Sequence, residues 1–534
     1  MIESTDVDLA TPTPGQPLAD GERRGIAKAA IILAFGNITS RILGLAREIV
    51  KANLFGASGL LSAFNVAAYV PTSLFDLIVG GMVSSSLVPV FSDYAAEERR
   101  ETLWQVVSTV LSVATAVLLV VVMLVELFAS QVAWLVGANE FTDPALTAGS
   151  IHLMRLVTPA VLFLGLSSIL TGALYALKRF TMPAFISATF NGTIVIVAIV
   201  RPREITSLAW GVLIGSVLQV LLQLPALRDA RIRWQFNWQH PAIRRILRLY
   251  APIVAGLVVN QLAVALSLKL ATSTGDQSVS YMKFATTLTQ FPLGLVVTAL
   301  SIATLPTLSR QALGRLDAFK GTLAEGLRLV ITLILPATTG LFALAVPIVA
   351  LLFEHGAFTP ADTQTTALVL RVYLFGLPFA AVDQMLVFAS YARKDTWRPA
   401  AVGVISILIY TAVAVALLQP LGLLSLMIAD ATKHVVHTLM MLWLLKRHLG
   451  GLAGYHVAAA VIKSLIAAVV TGAAAYGASM MVVQWVTPAG LLSRLLVVAS
   501  SGAAGLAVYV VSVAVLDIRD AKSLPQTLRR RKKA

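Results

Sequence analysis

The sequence predicts an all-α polytopic membrane protein: about 14 transmembrane helices, built as two six-helix lobes and two additional C-terminal helices. Three observations predict it. Hydrophobic residues make up 57% of the 534 and charged residues 13%, about half the usual globular share, so most of the chain must face lipid. Basic residues gather in alternate loops. Finally, distinct segments recur at one spacing along the chain.

The helices follow from apolar runs long enough to cross a bilayer, at roughly 20 residues each. In the first lobe these runs lie near 26–54, 60–84, 102–127, 147–177, 183–200 and 205–227. In the second they lie near 246–272, 279–304, 320–352, 365–391, 398–418 and 422–446. Two more, near 454–482 and 490–516, have no counterpart. The expected divisions are a disordered head (1–25), the first lobe (26–235), the second lobe (236–450), two lipid-groove helices (451–517) and a basic tail (518–534).

The loops between these runs set the orientation. Sorted by side, 28 lysines and arginines fall on one side, including six arginines between Arg228 and Arg248, against Lys51, Arg201 and Arg203 on the other. The positive-inside rule then puts both termini in the cytoplasm, and the loops 128–146 and 353–364, which contain no lysine or arginine, outside. This distribution accounts for the net charge of +15 without nucleic acid as a partner; the tail RRRKKA is instead expected to meet anionic lipid. No cleavable signal peptide is read at the N-terminus. The absence of cysteine excludes disulfides, thiolate metal sites and a cysteine nucleophile. No P-loop, zinc-protease helix or nucleophile elbow is present, so an enzyme is not expected.

The repeat spacing is 216–217 residues. LYALKRFTMPA (174–184) matches SYARKDTWRPA (390–400), and SLVPVFSDYA (86–95) matches ATLPTLSRQA (303–312). Arg155 falls on Arg371, and Phe141-Thr142 on Phe358-Thr359. A repeat of about six helices preserves orientation, so the pseudo-twofold axis relating the lobes should run along the membrane normal, with a substrate path between them.

Charges inside the membrane need a reason, because each costs about 2.5–3.5 kcal/mol at the bilayer centre. The first helix carries SRILGLAREIVK, in which Arg41 and Glu48 share one face and Arg47 and Lys51 form a second stripe. Three cations exceed what Glu48 can neutralise, and guanidinium forks suit phosphate. Snorkelling of Arg47 and Lys51 to the outer interface is the alternative. The second helix carries a polar stripe of Ser62, Asn65, Tyr69, Thr72/Ser73, Asp76, Gly80 and Ser84; the eighth carries Ser280, Lys283, Thr287, Gln290, Gly294, Thr298 and Ser301, with hydrogen bonding between helices as the alternative to a cavity. Both read as walls of one aqueous cavity, with Arg41, Arg47, Glu48, Asp76 and Lys283 binding substrate and Ser62, Asn65, Tyr69, Thr287 and Gln290 lining the path. Asp430, His434 and His437 share a face of the twelfth helix and read as interhelical hydrogen bonding more than as a metal site. Lys269, Asp383, Lys463 and Arg494 read as isolated. No cofactor or metal is expected.

SRILGLAREIVKANLFG, AFNVAAYVPTSLF and SSLVPVFSDY together resemble the opening of the MurJ/MviN lipid II flippases of the MOP exporter superfamily. The resemblance runs from about residue 28 to 450, and the two extra helices fit it. It implies two lobes that alternate between inward- and outward-facing states in a bacterial inner membrane. The implied substrate is an undecaprenyl-diphosphate-linked peptidoglycan precursor, moved to the outer leaflet. Coupling to the membrane potential or a cation gradient and contact with cell-wall synthesis proteins also follow from it. The sequence departs from the family pattern at Ser62, Phe75-Asp76, Gly80, Thr286-Thr287 and Gln290, where the family carries charge; Lys283 offers a replacement. The acids of the family's sodium site on the seventh and eleventh helices have no match here. A flippase for another polyprenyl-diphosphate glycan, a different exporter of the superfamily and a transport-inactive cell-wall scaffold remain alternatives.

Overall fold

The computed structural model describes residues 20–486 and 490–518. The expected head, up to residue 19, and the tail from 519 lie outside the described residues. The first lobe comprises α1 (Asp20–Phe55), α2 (Gly59–Ser92), α3 (Glu97–Leu127), α4 (Pro144–Ala176), α5 (Ile186–Val200) and α6 (Thr206–Leu227). The second comprises α7 (Pro241–Ser273), α8 (Ser278–Gln311), α9 (Leu316–Ala343), α10 (Pro360–Leu374 and Leu377–Ala392), α11 (Trp397–Leu421) and α12 (Leu424–Leu449). Helices α13 (Val457–Trp485) and α14 (Leu491–Val515) follow.

The fourteen predicted runs each fall on one of these helices. Ten are long and apolar enough to cross a membrane on length and composition, or eleven with α10, whose halves meet at 44°. The others fall short for visible reasons. Charges and histidines interrupt α12, α5 has only 15 residues, and α1 carries Arg41, Arg47, Glu48 and Lys51 over residues 31–55.

The duplication is written into the backbone. In α2 a π-helical turn occupies Asp76–Gly80, and 217 residues on another occupies Leu293–Val297 of α8. Each lies upstream of a repeat-matched proline, Pro89 or Pro306. The C-termini of α4 and α10 are capped alike. Lys178 and Lys394 take φ of 57° and 62°, the left-handed conformation usually left to glycine. In both copies two crossed bonds close the cap: Arg179 N to Leu174 O and Lys178 N to Tyr175 O, then Asp395 N to Ser390 O and Lys394 N to Tyr391 O. Such caps satisfy carbonyls that a helix end leaves without partners.

Packing repeats too, with one exception. In the first lobe α6 lies between α4 and α5, and α1 runs along α5; in the second, α12 lies between α10 and α11. Helix α7, the copy of α1, touches α11 only lightly and sets its first half against α2. Ala242, Ile243, Ile246 and Tyr250 are buried in the same apolar cluster as Val79, Leu87 and Phe91 of α2. The division expected at residue 236 therefore separates α7 in sequence from residues that it packs against.

Helix α13 packs along α9 and α14. The small residues Gly472 and Gly505 allow the approach: a Cβ at Gly472 would come within 3.1 Å of Thr339, and one at Gly505 within 3.1 Å of Ala475.

Candidate functional site

One end of the bundle is closed by contacts between the two halves. Ser62 on α2 and Ser280 on α8 meet Oγ to Oγ at 2.9 Å, both fully buried, and the Ser280 amide donates to Ser62 Oγ at 3.2 Å. The Ala357 amide donates to Asn53 O at 2.8 Å, and Thr272 Oγ1 donates to Gly137 O at 2.8 Å. Gly56 and Gly356 make this seam possible, for both have positive φ and a Cβ on either would strike backbone across it, at 2.5 and 2.3 Å. Among the described residues no hydrogen bond or ion pair joins the second halves of α2 and α8.

Below this seam lies a cavity of about 410 Å³ bounded by α1, α2, α4, α5, α6, α7 and α8. Its polar wall comprises Arg47, Lys51, Asn65, Tyr69, Thr72, Ser267, Lys283 and Thr286. Phe64, Phe190, Ile194 and Met282 supply apolar surface. Glu48 joins the cations of α1: Arg47 Nη2 lies 2.8 Å from its Oε1, and Lys51 Nζ 2.9 Å from its Oε2. Arg47 also donates from Nη1 to Asn191 Oδ1 at 3.0 Å, and Lys51 donates to Asn65 Oδ1 at 3.2 Å. The Asn191 amide returns to Ser40 O at 3.3 Å, which ties α5 to α1 where Gly44 leaves room beside it.

This network revises the expected arrangement of α1. Glu48 sits with Arg47 and Lys51, not with Arg41, because side chains of that length reach across the helix surface to one carboxylate. At 1% exposure Glu48 is a buried counter-charge rather than a wall residue. Lys51, at 4%, is turned into the protein rather than snorkelling outward. Lys283 faces the same cavity from α8, and among the described residues it has no hydrogen bond or ion-pair partner. Three cations thus surround one carboxylate. Asn65 Nδ2 is buried without a partner in the described structure, leaving a donor beside the cations.

The other expected residues distribute as follows. Asn65 and Tyr69 line the cavity. Ser62 belongs to the seam, not the wall. Arg41 reaches across to Gly294 O in the π-helical turn of α8, at 3.4 Å, and does not line the cavity. Thr287 donates to Lys283 O within its own helix, and its neighbour Thr286 takes the place on the wall. Gln290 is exposed away from this cavity. Asp76 meets no cation; its Oδ2 accepts from Gln261 Nε2 at 3.3 Å. Gln261 is the residue that sequence reasoning passed over, because a lone amide on α7 carries no periodic signal. It also accepts from the Tyr69 hydroxyl at both its main-chain and side-chain oxygens, at 2.5 and 3.0 Å, and so clamps α7 to α2.

Three residues read as isolated have ionisable partners. Arg494 Nη2 lies 2.6 Å from Glu354 Oε1, Asp383 Oδ1 lies 2.5 Å from His437 Nδ1, and Lys269 stands 4.1 Å above the Trp134 ring, with Glu140 3.8 Å away. Lys463 donates to the Asp517 carbonyl at 3.5 Å. On α12, Asp430 pairs with Lys433 at 2.5 Å and lies 3.7 Å from His434, so the carboxylate serves a neighbouring ammonium. The described residues hold no cluster of three or more metal-ligating groups.

A seam at one end and a cationic cavity between two six-helix repeats describe a transporter more than an enzyme. The family model for "Lipid II flippase MurJ" matches residues 51–495. The chain belongs to the MurJ family. Among MurJ relatives, a probable lipid II flippase of Bdellovibrio bacteriovorus is 30% identical over 443 residues, which cover 81% of this chain and 84% of the relative. The lipid II flippase of Burkholderia cenocepacia is 30% identical over 401 residues, covering 72% and 76%. A solved MurJ in an inward closed conformation superposes with a TM-score of 0.75, at 23% identity and over 91% of this chain and 98% of that one. An inward-facing multidrug transporter of the MATE family and MOP superfamily follows the same fold, with a TM-score of 0.63, 14% identity and 81% and 98% coverage. The protein is therefore an integral membrane protein of a transporter family with the MOP architecture.

Proposed function

We propose that this chain is a lipid II flippase, moving an undecaprenyl-diphosphate-linked peptidoglycan precursor from the inner to the outer leaflet by alternating access. The observation that carries this reading is the charge of the cavity. Arg47, Lys51 and Lys283 surround Glu48 alone, so the wall holds surplus positive charge that a diphosphate would neutralise. Arg47 supplies the planar fork, and the unpartnered Asn65 amide adds a donor. With both termini cytoplasmic, the seam of Ser62 and Ser280 lies at the outer face, and the cavity is the inward-facing chamber.

The lipid tail requires an apolar path outside this chamber. A groove of about 780 Å³ runs between α9, α10, α12 and α13, walled by Ile331, Leu335, Phe379, Leu442, Val461 and Leu465, with Lys446 at its cytoplasmic end. Its size and composition support a place for the polyprenyl chain. Helix α13 borders it as expected, whereas α14 does not, being held on the far side of α13.

Diphosphate binding draws Arg47 and Lys283 toward one ligand from opposite halves. Only a state that brings α1 and α8 together gains that interaction, which is the differential affinity alternation needs. The test is complementation of a flippase-depleted bacterium. The wild-type chain should restore growth, and Arg47→Ala should fail despite normal membrane insertion. Growth restored equally by both would refute the role of the cation wall. A wild-type chain that inserts but never restores growth would instead favour another polyprenyl-diphosphate glycan as substrate.

A further inference from the structure

The pseudo-symmetry provides an internal control for a second lipid site. Arg155 in α4 and Arg371 in α10 occupy matching repeat positions. Arg155 lies within electrostatic reach of the acid Glu126 at the end of α3. The corresponding place at the end of α9 is Phe342-Ala343, which is neutral. Arg371 has instead a carbonyl and an aromatic face: Nε donates to Phe342 O at 3.2 Å, and the guanidinium lies 5.6 Å from the Phe342 ring. Its terminal nitrogens have no hydrogen-bond or ion-pair partner among the described residues.

Where the acid is missing, a pocket opens. It measures about 330 Å³ and has Arg371, Arg494 and Tyr476 as polar boundary and Met480, Val483 and Val497 as apolar wall. It lies between α9, α10, α13 and α14, apart from the central cavity, at the end of the bundle that carries the seam. Two guanidiniums and one carboxylate, Glu354 on Arg494, leave a single net positive charge. One surplus charge suits a monoanionic phosphodiester. A diphosphate would bring more negative charge than the pocket can balance.

We propose that this pocket is a binding site for an anionic glycerophospholipid of the outer leaflet, its phosphodiester on Arg371 and its acyl chain along Met480 and Val483. The assignment to the outer leaflet rests on the orientation adopted under the flippase reading; the pocket's charge and shape do not. Helices α13 and α14 are then held to the second lobe partly through lipid. The position also keeps the resident lipid out of the substrate path.

The experiment is native mass spectrometry of the delipidated full-length protein, titrated with phosphatidylglycerol or with phosphatidylcholine. The wild type should retain phosphatidylglycerol in preference to the zwitterion. Arg371→Ala should weaken that retention about tenfold, the scale of one charge-assisted hydrogen bond. Ala343→Glu restores to this lobe the acid that the first lobe has, and should weaken retention similarly without removing the arginine. It decides the matter if Arg371→Ala does not fold. Arg155→Ala should leave retention unchanged. Equal retention of the two lipids by the wild type, or undiminished phosphatidylglycerol on Ala343→Glu, would overturn the proposal. Retention is read without transport, so failure here leaves the flippase reading standing, and failure of complementation leaves this one.

Discussion

Helices α1 and α7 are copies that have come to do opposite things. Helix α1 stays with its own lobe along α5 and carries Arg41, Arg47, Glu48 and Lys51. Helix α7 leaves α11, lays its first half on α2, and has no charged residue from 256 to 268. The contacts that hold each helix show why. Arg47 reaches Asn191 of α5, whereas Gln261 of α7 reaches Tyr69 and Asp76 of α2. The duplication preserved backbone, down to the π-helical turns and left-handed lysines, while the polar contacts diverged. In such a molecule the shared geometry builds the two walls, and the unshared charges say what passes between them.

A second pair of contacts makes the same point. Where α4 meets α6, the Gln223 amide donates to Ser167 Oγ at 2.8 Å, a neutral bond. Ser167 is the repeat partner of Asp383, and where α10 meets α12 the contact is the Asp383–His437 pair. At this matched position one lobe uses neutral groups and the other an ionisable pair, beside the neutral bond from Thr438 Oγ1 to Phe379 O.

The largest expected effect breaks the α1 network. Glu48→Gln removes the carboxylate shared by the buried Lys51 and the partly exposed Arg47, and should destabilise the protein by about 3 kcal/mol, the cost of stranding the buried ammonium. Thermal unfolding in detergent measures it. Arg494→Ala, which the sequence alone would rank as nearly silent, should cost about 3 kcal/mol, because it strands Glu354 and frees the start of α14 from the carbonyls of Ala350 and Glu354. Proteolytic sensitivity near residue 490 would rise with it. Gln261→Ala should cost about 1–2 kcal/mol and loosen α7 from α2. Labelling of a cysteine placed at Ile253 would report that opening.

The smallest effect lies outside the membrane. Arg179, next to the left-handed Lys178, donates to Asp229 at 2.5 and 2.9 Å and holds that carboxyl below its ordinary range. A depressed folded pKa contributes stability above the unfolded value, about 3.9, that is lost as pH falls through the folded value. Both side chains are substantially exposed, so Asp229→Asn should cost under about 1 kcal/mol, and its difference from wild type should vanish in strong acid. A pH series of unfolding midpoints checks the sign.

The fold was legible because it depends on quantities that sequence displays: apolar runs, the side on which arginines fall, and four in-order matches at one spacing. Parts of the site were legible for the same reason, since Arg47, Asn65, Tyr69 and Lys283 stand out as polar groups at helical spacing. Lys51 stayed open between an inward stripe and the outer interface, because its depth depends on Glu48 and Asn65, which fold around it. Ser62 and Asp76 share a stripe with Asn65, yet the helix delivers one to the seam and the other to Gln261. Stripes give a face, not a depth. Where α7 packs is a tertiary choice between two apolar surfaces of similar character, and no local pattern records it.

The central claim is that surplus positive charge, contributed unequally by the two lobes, captures the diphosphate. It is tested most directly by lipid II translocation in proteoliposomes with Arg47→Ala, Arg47→Lys and Lys283→Ala, each checked for expression and folding. Arg47→Ala should abolish translocation, Arg47→Lys should fall well short of wild type because a point charge loses the planar fork, and Lys283→Ala should retain a reduced rate. Wild-type rates from both Arg47→Ala and Lys283→Ala would contradict it.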